Sequence, residues 1–158
     1  AWKKCRGDCG SYHTDRRHEI RSAGNNALTM PSIFSRIISG EIPCHKVAED
    51  DRYFAFLDIN PLQEGHTLVV PKVEVDRLFD LDDEILAGML PFAKGVARRI
   101  SSVVPCNRVG VAVIGLEVPH AHIHLIPINS ERDMDFSAPK LKLTQDQLAA
   151  MAERLRNG

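Results

Sequence analysis

Apolar residues fall into helix and strand periods from residue 30 onward and into neither before it. Residues 1–29 are rich in Arg, Gly, Ser, Asn and Asp. Such a stretch buries too little apolar surface to offset its ordering entropy. It is expected to be a disordered N-terminal extension, a short targeting peptide being the alternative. Met30 then reads as the natural start, and residues 30–158 as one domain. Beyond Met30, Ile33, Phe34, Ile37 and Ile38 share one face of a short helix, with Pro31 expected in its first turn and Gly40 at its end. Residues 53–57 and 67–70 read as strands, separated by the turn-prone Asn60-Pro61 and Gly65. Residues 82–103 form the longest predicted helix, with Ile85, Leu86, Met89, Ala93, Val96, Ala97 and Ile100 as its apolar set. Pro91 lies inside it and predicts a kink, because it removes one backbone hydrogen bond. Residues 109–114 and 121–128 read as two more strands. Thr144-Gln-Asp-Gln147 is a capping-box pattern that opens a last helix with Leu148, Ala152 and Leu155 on one face. Helices and strands do not alternate regularly, which predicts an α+β fold rather than a doubly wound parallel sheet.

Composition narrows the function classes. A chain of 158 residues with 44% apolar residues supports one hydrophobic core. The net charge is −1, positive over the N-terminal stretch and negative over the rest. No overall field therefore recruits nucleic acid or a membrane surface. No apolar run approaches the ~18 residues of a bilayer span, and no apolar leader segment is present. The four cysteines are scattered rather than arranged as a disulfide framework, so a cytoplasmic, reducing location is expected.

The chemistry concentrates in Val118-Pro-His120-Ala-His122-Ile-His124-Leu-Ile126. Alternate residues of a strand share a face. His120, His122 and His124 therefore point one way, and Ala121, Ile123 and Leu125 point into the core. Three imidazoles in register admit three readings: an incidental polar face, a zinc site, or catalysis by a neutral imidazole nucleophile beside an anionic substrate. Judged singly, Asp58 is as well placed to cap the Asn60-Pro61 turn as to bind a ligand. Likewise His66 reads as surface, and Phe34 and Phe56 as core.

Three blocks together resemble the histidine-triad family. They are His120-Ala-His122-Ile-His124-Leu-Ile, matching His-φ-His-φ-His-φ-φ with φ apolar; Asp58-Ile-Asn-Pro61 followed by His66-Thr-Leu-Val-Val-Pro71-Lys72; and Ile33-Phe34 through Gly40-Glu-Ile-Pro43. The similarity runs from Met30 to Ile128 and is greatest to the nucleotide-binding branch. The resemblance implies a five-stranded antiparallel sheet with one long and one short helix plus a C-terminal helix. It also implies a homodimer whose sheets join into one of ten strands, a purine nucleotide substrate, and hydrolysis of nucleoside phosphoramidates without a cofactor. By the same resemblance His122 is the nucleophile that forms a nucleotidyl-histidine, and the His120 carbonyl holds its Nδ1 proton. His124 and His66 lie near the α-phosphate, Asp58 accepts the ribose hydroxyls, and Phe34, Ile33, Phe56 and Ile59 line the base slot.

The sequence departs from that branch in places that matter. Gly115-Leu116-Glu117 stands where the branch has Gly-Gln-Ser, so Glu117 takes the position of a serine thought to relay a proton to the leaving amine. Leu116, Val118 and Pro119 are expected to enclose Glu117 in apolar surface and keep its carboxyl protonated as a general acid. The alternative is a surface glutamate. No asparagine lies between Arg108 and His120, so the branch's phosphate-contacting asparagine is missing. Ser32 and Ser35 stand where many bacterial relatives carry a zinc-binding Cys-x-x-Cys, and no structural metal is expected. Cys5, Cys9, His13 and His18 have the wrong spacing for a zinc finger. The rival functions are a dinucleoside polyphosphate hydrolase, a nucleotide-binding regulatory protein with little turnover, and a zinc-binding module.

Overall fold

The two faces of the central strands are both apolar, and this sets the architecture. In the computed structural model, which describes residues 30–158, five strands form one antiparallel sheet. They are β1 (Lys46–Glu49), β2 (Tyr53–Leu57), β3 (Thr67–Pro71), β4 (Arg108–Ala112) and β5 (Ile123–Ile128), in the order β1-β2-β3-β5-β4. Three helices accompany them: α1 (Ile33–Ile38), α2 (Asp83–Val103) and α3 (Gln145–Asn157). The architecture is α+β, as the irregular alternation predicted. The expected disordered extension 1–29 and the set Cys5, Cys9, His13 and His18 lie outside the described residues. No helix among the described residues is long and apolar enough to cross a membrane.

Alternation along β2 sends Tyr53, Ala55 and Leu57 to one face and Phe54 and Phe56 to the other, and every one of them is buried. The first face joins Val69, Ile123 and Leu125 to Met89, Ala93, Val96 and Ile100 of α2 and to Leu148, Met151, Ala152 and Leu155 of α3. This is the main core, and each large side chain in it contributes roughly 1.5–3 kcal/mol. The second face packs Phe54, Phe56, Leu68 and Val70 beneath Phe34 of α1. The histidine row shares this second face.

The element boundaries show where local pattern gives way to packing. Pro31 lies just outside α1, whose N-cap is Ser32, so proline precedes the cap instead of occupying the first turn. Gly40, at φ 80°, closes the turn after α1. The Thr144–Gln147 capping box forms as expected, with both reciprocal bonds present. Helix α2 runs on through Pro91, so the proline removes a bond without ending the element. Strand β4 stops at Ala112, since Val113 and Ile114 leave the sheet and are exposed. Strand β5 begins only at Ile123, so His120 and His122 sit on the extended chain that leads into it. Strand β1 was not legible, because only Val47 of its four residues is buried. Gly65, at φ 85°, turns the chain into His66 and β3. A Cβ there would lie 2.9 Å from Val104 Cγ2, so this turn tolerates only glycine.

Candidate active site

The second face of the sheet opens into a cavity of about 470 Å³ between α1, the end of β2 and the histidine row. Each histidine's protonation pattern follows from its partners. A carbonyl only accepts, so His120 Nε2 donates to the Pro71 carbonyl (2.8 Å), and its Nδ1 accepts from the Ser32 hydroxyl (2.8 Å). Ser32 Oγ in turn accepts from the Ser35 amide (3.1 Å). The Glu74 carboxylate accepts from the Ser32 amide (3.0 Å) and from the Ser35 hydroxyl. These bonds hold the Glu74 carboxyl below the usual carboxylate range, the Ser35 hydroxyl contributing most. Burial lowers the His120 pKa.

His122 Nδ1 lies 2.7 Å from the His120 carbonyl and must donate to it. Its Nε2 has no protein partner, yet no buried polar side-chain atom is left without one among the described residues. Nε2 is therefore open to the cavity. The Phe34 ring stands edge-on to His122 at 5.2 Å and to His120 at 5.8 Å, which sandwiches the histidine row against α1.

His66 and His124 form a second, directional chain. The Leu62 amide donates to His66 Nδ1 (3.2 Å), so His66 carries its proton on Nε2 and donates it to His124 Nδ1 (3.0 Å). His124 is then left with an Nε2 proton to present to a ligand. Burial, with a smaller contribution from the charge of Lys140, lowers the His66 pKa to about 4. Burial, followed by the neighbouring His122 and His66, lowers that of His124 to about 3. At neutral pH both are uncharged donors, and the 3.7 Å approach of His66 Nδ1 to Asp58 Oδ2 is not an ion pair.

Asp58 does both things its sequence position allowed. Its Oδ1 accepts from the Asn60 amide (2.8 Å), the turn role. Its Oδ2 has no donor among the described residues and borders the cavity. Asp58, His66 and His124 bring one potential ligand atom each within 4.8 Å of the others, so a metal could sit there. The hydrogen bonds just described account for the same arrangement without one. Ser32 and Ser35, as neutral hydroxyls bonded to His120 and Glu74, offer a metal little.

The structure brings together on this cavity Ile33, Phe34, Phe56, Asp58, Ile59, His66, Glu117, His122 and His124. His120 lies behind it, fully buried. Ile33 and Ile59 are 48% and 63% exposed, so the apolar slot is open on one side. The apolar enclosure expected around Glu117 does not form: Glu117 is exposed, and adjacent Leu116 is 88% exposed. After Gly115 the chain runs along the surface, and neighbours in sequence do not pack on the carboxylate. Sequence reasoning missed Glu74, Phe136 and Lys140. The first is 42 residues from its serine partner Ser32, and the other two follow β5 in a stretch without apolar period.

The family profile of the HIT domain matches residues 39–131, and the chain belongs to that family, the histidine-triad proteins. Among individual relatives it is similar to adenosine 5'-monophosphoramidase hnt1 of Schizosaccharomyces pombe, at 34% identity over 131 residues, covering 80% of this chain and 96% of the relative. It is 30% identical to adenylylsulfatase HINT3 of Arabidopsis thaliana over 136 residues, 83% of this chain and 68% of the relative. Among solved structures, a Hit-like protein of Bartonella henselae superposes with a TM-score of 0.69 at 29% identity, covering 80% of this chain and 95% of that one.

The depressed histidines make stability depend on acid in one direction. Unfolded, these imidazoles protonate near pH 6.5; folded, they resist to about pH 4 at His66 and about pH 3 at His124. Between those limits the unfolded state binds more protons, so stability falls as pH drops. Urea midpoints measured from about pH 7 to about pH 5 are expected to decline, and His66→Gln to flatten the decline. Equal slopes in the two proteins would contradict the buried neutral pair.

Proposed function

We propose that the protein hydrolyses purine nucleoside phosphoramidates at the α-phosphate through a nucleotidyl-histidine at His122. The observation that carries this reading is a histidine with its Nδ1 proton fixed on the His120 carbonyl and its Nε2 open to a cavity of nucleoside size. In the first step Nε2 of His122 attacks the α-phosphorus, the P–N bond breaks, and the amine departs with a proton. In the second, water attacks the phosphorus, the P–N bond to His122 breaks, and the nucleoside monophosphate is released. The Nε2 proton of His124 is placed to stabilise charge growing on a phosphoryl oxygen. Asp58 Oδ2 accepts from a ribose hydroxyl, and Phe34, Phe56, Ile33 and Ile59 hold the base. His120 acts through its carbonyl. Glu117 reaches the cavity from the surface and is a proton donor on position alone. The printed activities of the Schizosaccharomyces pombe and Arabidopsis relatives support an adenylate substrate; the second favours a mixed anhydride with sulfate as an alternative leaving group. Dinucleoside polyphosphates are the remaining alternative.

A panel of adenosine phosphoramidate, adenylyl sulfate and diadenosine polyphosphates tests the reading. The phosphoramidate is expected to have the highest kcat/KM, and His122→Ala to lower turnover by orders of magnitude while AMP still binds. Near-wild-type turnover in that variant would sink the mechanism.

We also propose that the enzyme acts in the cytoplasm as a homodimer. The β4 edge supports the dimer: it is the last strand of the sheet, and Val111, Val113, Ile114 and, on α2, Leu90 are exposed. Light scattering at micromolar concentration is expected to give twice the chain mass, and the single-chain mass would refute it.

A further inference from the structure

The chain that follows β5 is a strap fastened at both ends beside the cavity. Its first part forms a 3₁₀ turn, Glu131–Met134, closed by a capping box between Ser130 and Asp133. Asp133 is also tied to the Gln63 side chain (3.4 Å). Its far end is pinned where the Leu141 amide donates to the Pro61 carbonyl (2.8 Å). Between these anchors Phe136 sets its edge against the His124 ring at 5.0 Å. Lys140 then lies over Phe136, with its Nζ donating to the Phe136 carbonyl (2.7 Å) and 5.4 Å from the ring centroid. The ammonium is thus held in place at the cavity border, with two of its three donors unused.

The charges around the cavity are unbalanced for the ligand proposed above. Asp58 and Glu117 are its acidic groups, and Lys140 is its one lysine or arginine. The imidazoles of His66 and His124 supply no charge, because each accepts a hydrogen bond at Nδ1 and carries one proton at Nε2. No carboxylate pairs with Lys140 among the described residues. Its charge nonetheless reaches the histidines, since it helps to suppress protonation of both. A phosphoryl group seated between His122 and His124 finds neutral donors there and one cation beside them.

We infer that Lys140 is the substrate-binding cation of this site, receiving a phosphoryl oxygen of the nucleotide and making the cavity discriminate nucleotide from nucleoside. The inference rests on the nucleotide reading of the cavity. The competing role is mechanical: Lys140 clips the strap through the Phe136 carbonyl and touches no ligand. The two separate in calorimetric binding of AMP and of adenosine to wild type, Lys140→Met and Lys140→Arg.

A phosphate-binding role predicts that Lys140→Met weakens AMP by about tenfold or more, the scale of a charge-assisted hydrogen bond. Adenosine should stay within about twofold, as it offers Lys140 no anion. Lys140→Arg should recover most of the AMP affinity, and added salt should weaken AMP more in wild type than in Lys140→Met. Equal losses for AMP and adenosine, or no loss for AMP, would overturn the assignment and leave Lys140 as a clip. A wild type that binds adenosine as tightly as AMP would also overturn it while leaving the nucleoside cavity standing. A wild type that binds neither would bring down the nucleotide reading and this inference with it.

Discussion

The site depends on one hydrogen bond, from His122 Nδ1 to the carbonyl of His120 at 2.7 Å. A neutral imidazole has one proton and two nitrogens, so whichever nitrogen is tied to an acceptor decides which is free to attack. That carbonyl is held from several directions. The His120 ring spans the Pro71 carbonyl and the Ser32 hydroxyl, and the adjoining Ala121 amide donates to the Val75 carbonyl. Ser32 is the N-cap of α1, and Glu74 ties that cap to the loop after β3. The nucleophile's tautomer is therefore set by a helix start, a strand end and a loop acting together. Each bond is worth only about 1 kcal/mol to folding, but together they leave the carbonyl a single position.

The sheet makes this possible because both its faces are covered. Helices α2 and α3 bury one face in a dry aliphatic core. On the other, α1 and the strap after β5 enclose a row of polar rings rather than leaving it wet. Burial on that scale penalises unpaired polar groups, and the row answers with two directional chains. One runs from Ser32 to His120, the other from Leu62 through His66 to His124. Their directions are opposite in purpose. The first leaves His122 with an open lone pair, and the second leaves His124 with an open proton. A phosphoryl group needs both, a nucleophile at phosphorus and donors at oxygen.

Much of this was legible in the sequence because it was periodic. Strands β2 and β3 read correctly from continuous apolar runs bounded by Asn60-Pro61 and Gly65, and α3 from its capping box. The histidine row was legible because a strand period of two carries through residues 120–124, even though β5 proper starts at Ile123. What was not legible had no period. Strand β1 is a short edge with one buried residue. Glu74 meets Ser32, and Lys140 meets the cavity, only through folding. Glu117 was misjudged for a related reason: apolar neighbours along the chain were taken for apolar neighbours in space, and Leu116 points to solvent. Pattern predicts what packs; it does not predict which polar side chains from distant segments meet.

The most direct test of this account is the tautomer of each histidine, read by long-range ¹H–¹⁵N NMR on the ligand-free protein near neutral pH. The hydrogen bonds require His122 to carry its proton on Nδ1, and His66, His120 and His124 to carry theirs on Nε2. Observation of that one-against-three pattern would place the free lone pair on the nucleophile and nowhere else facing the cavity. A His122 protonated on Nε2 alone would contradict the account, because the nitrogen that faces the cavity could not then attack phosphorus.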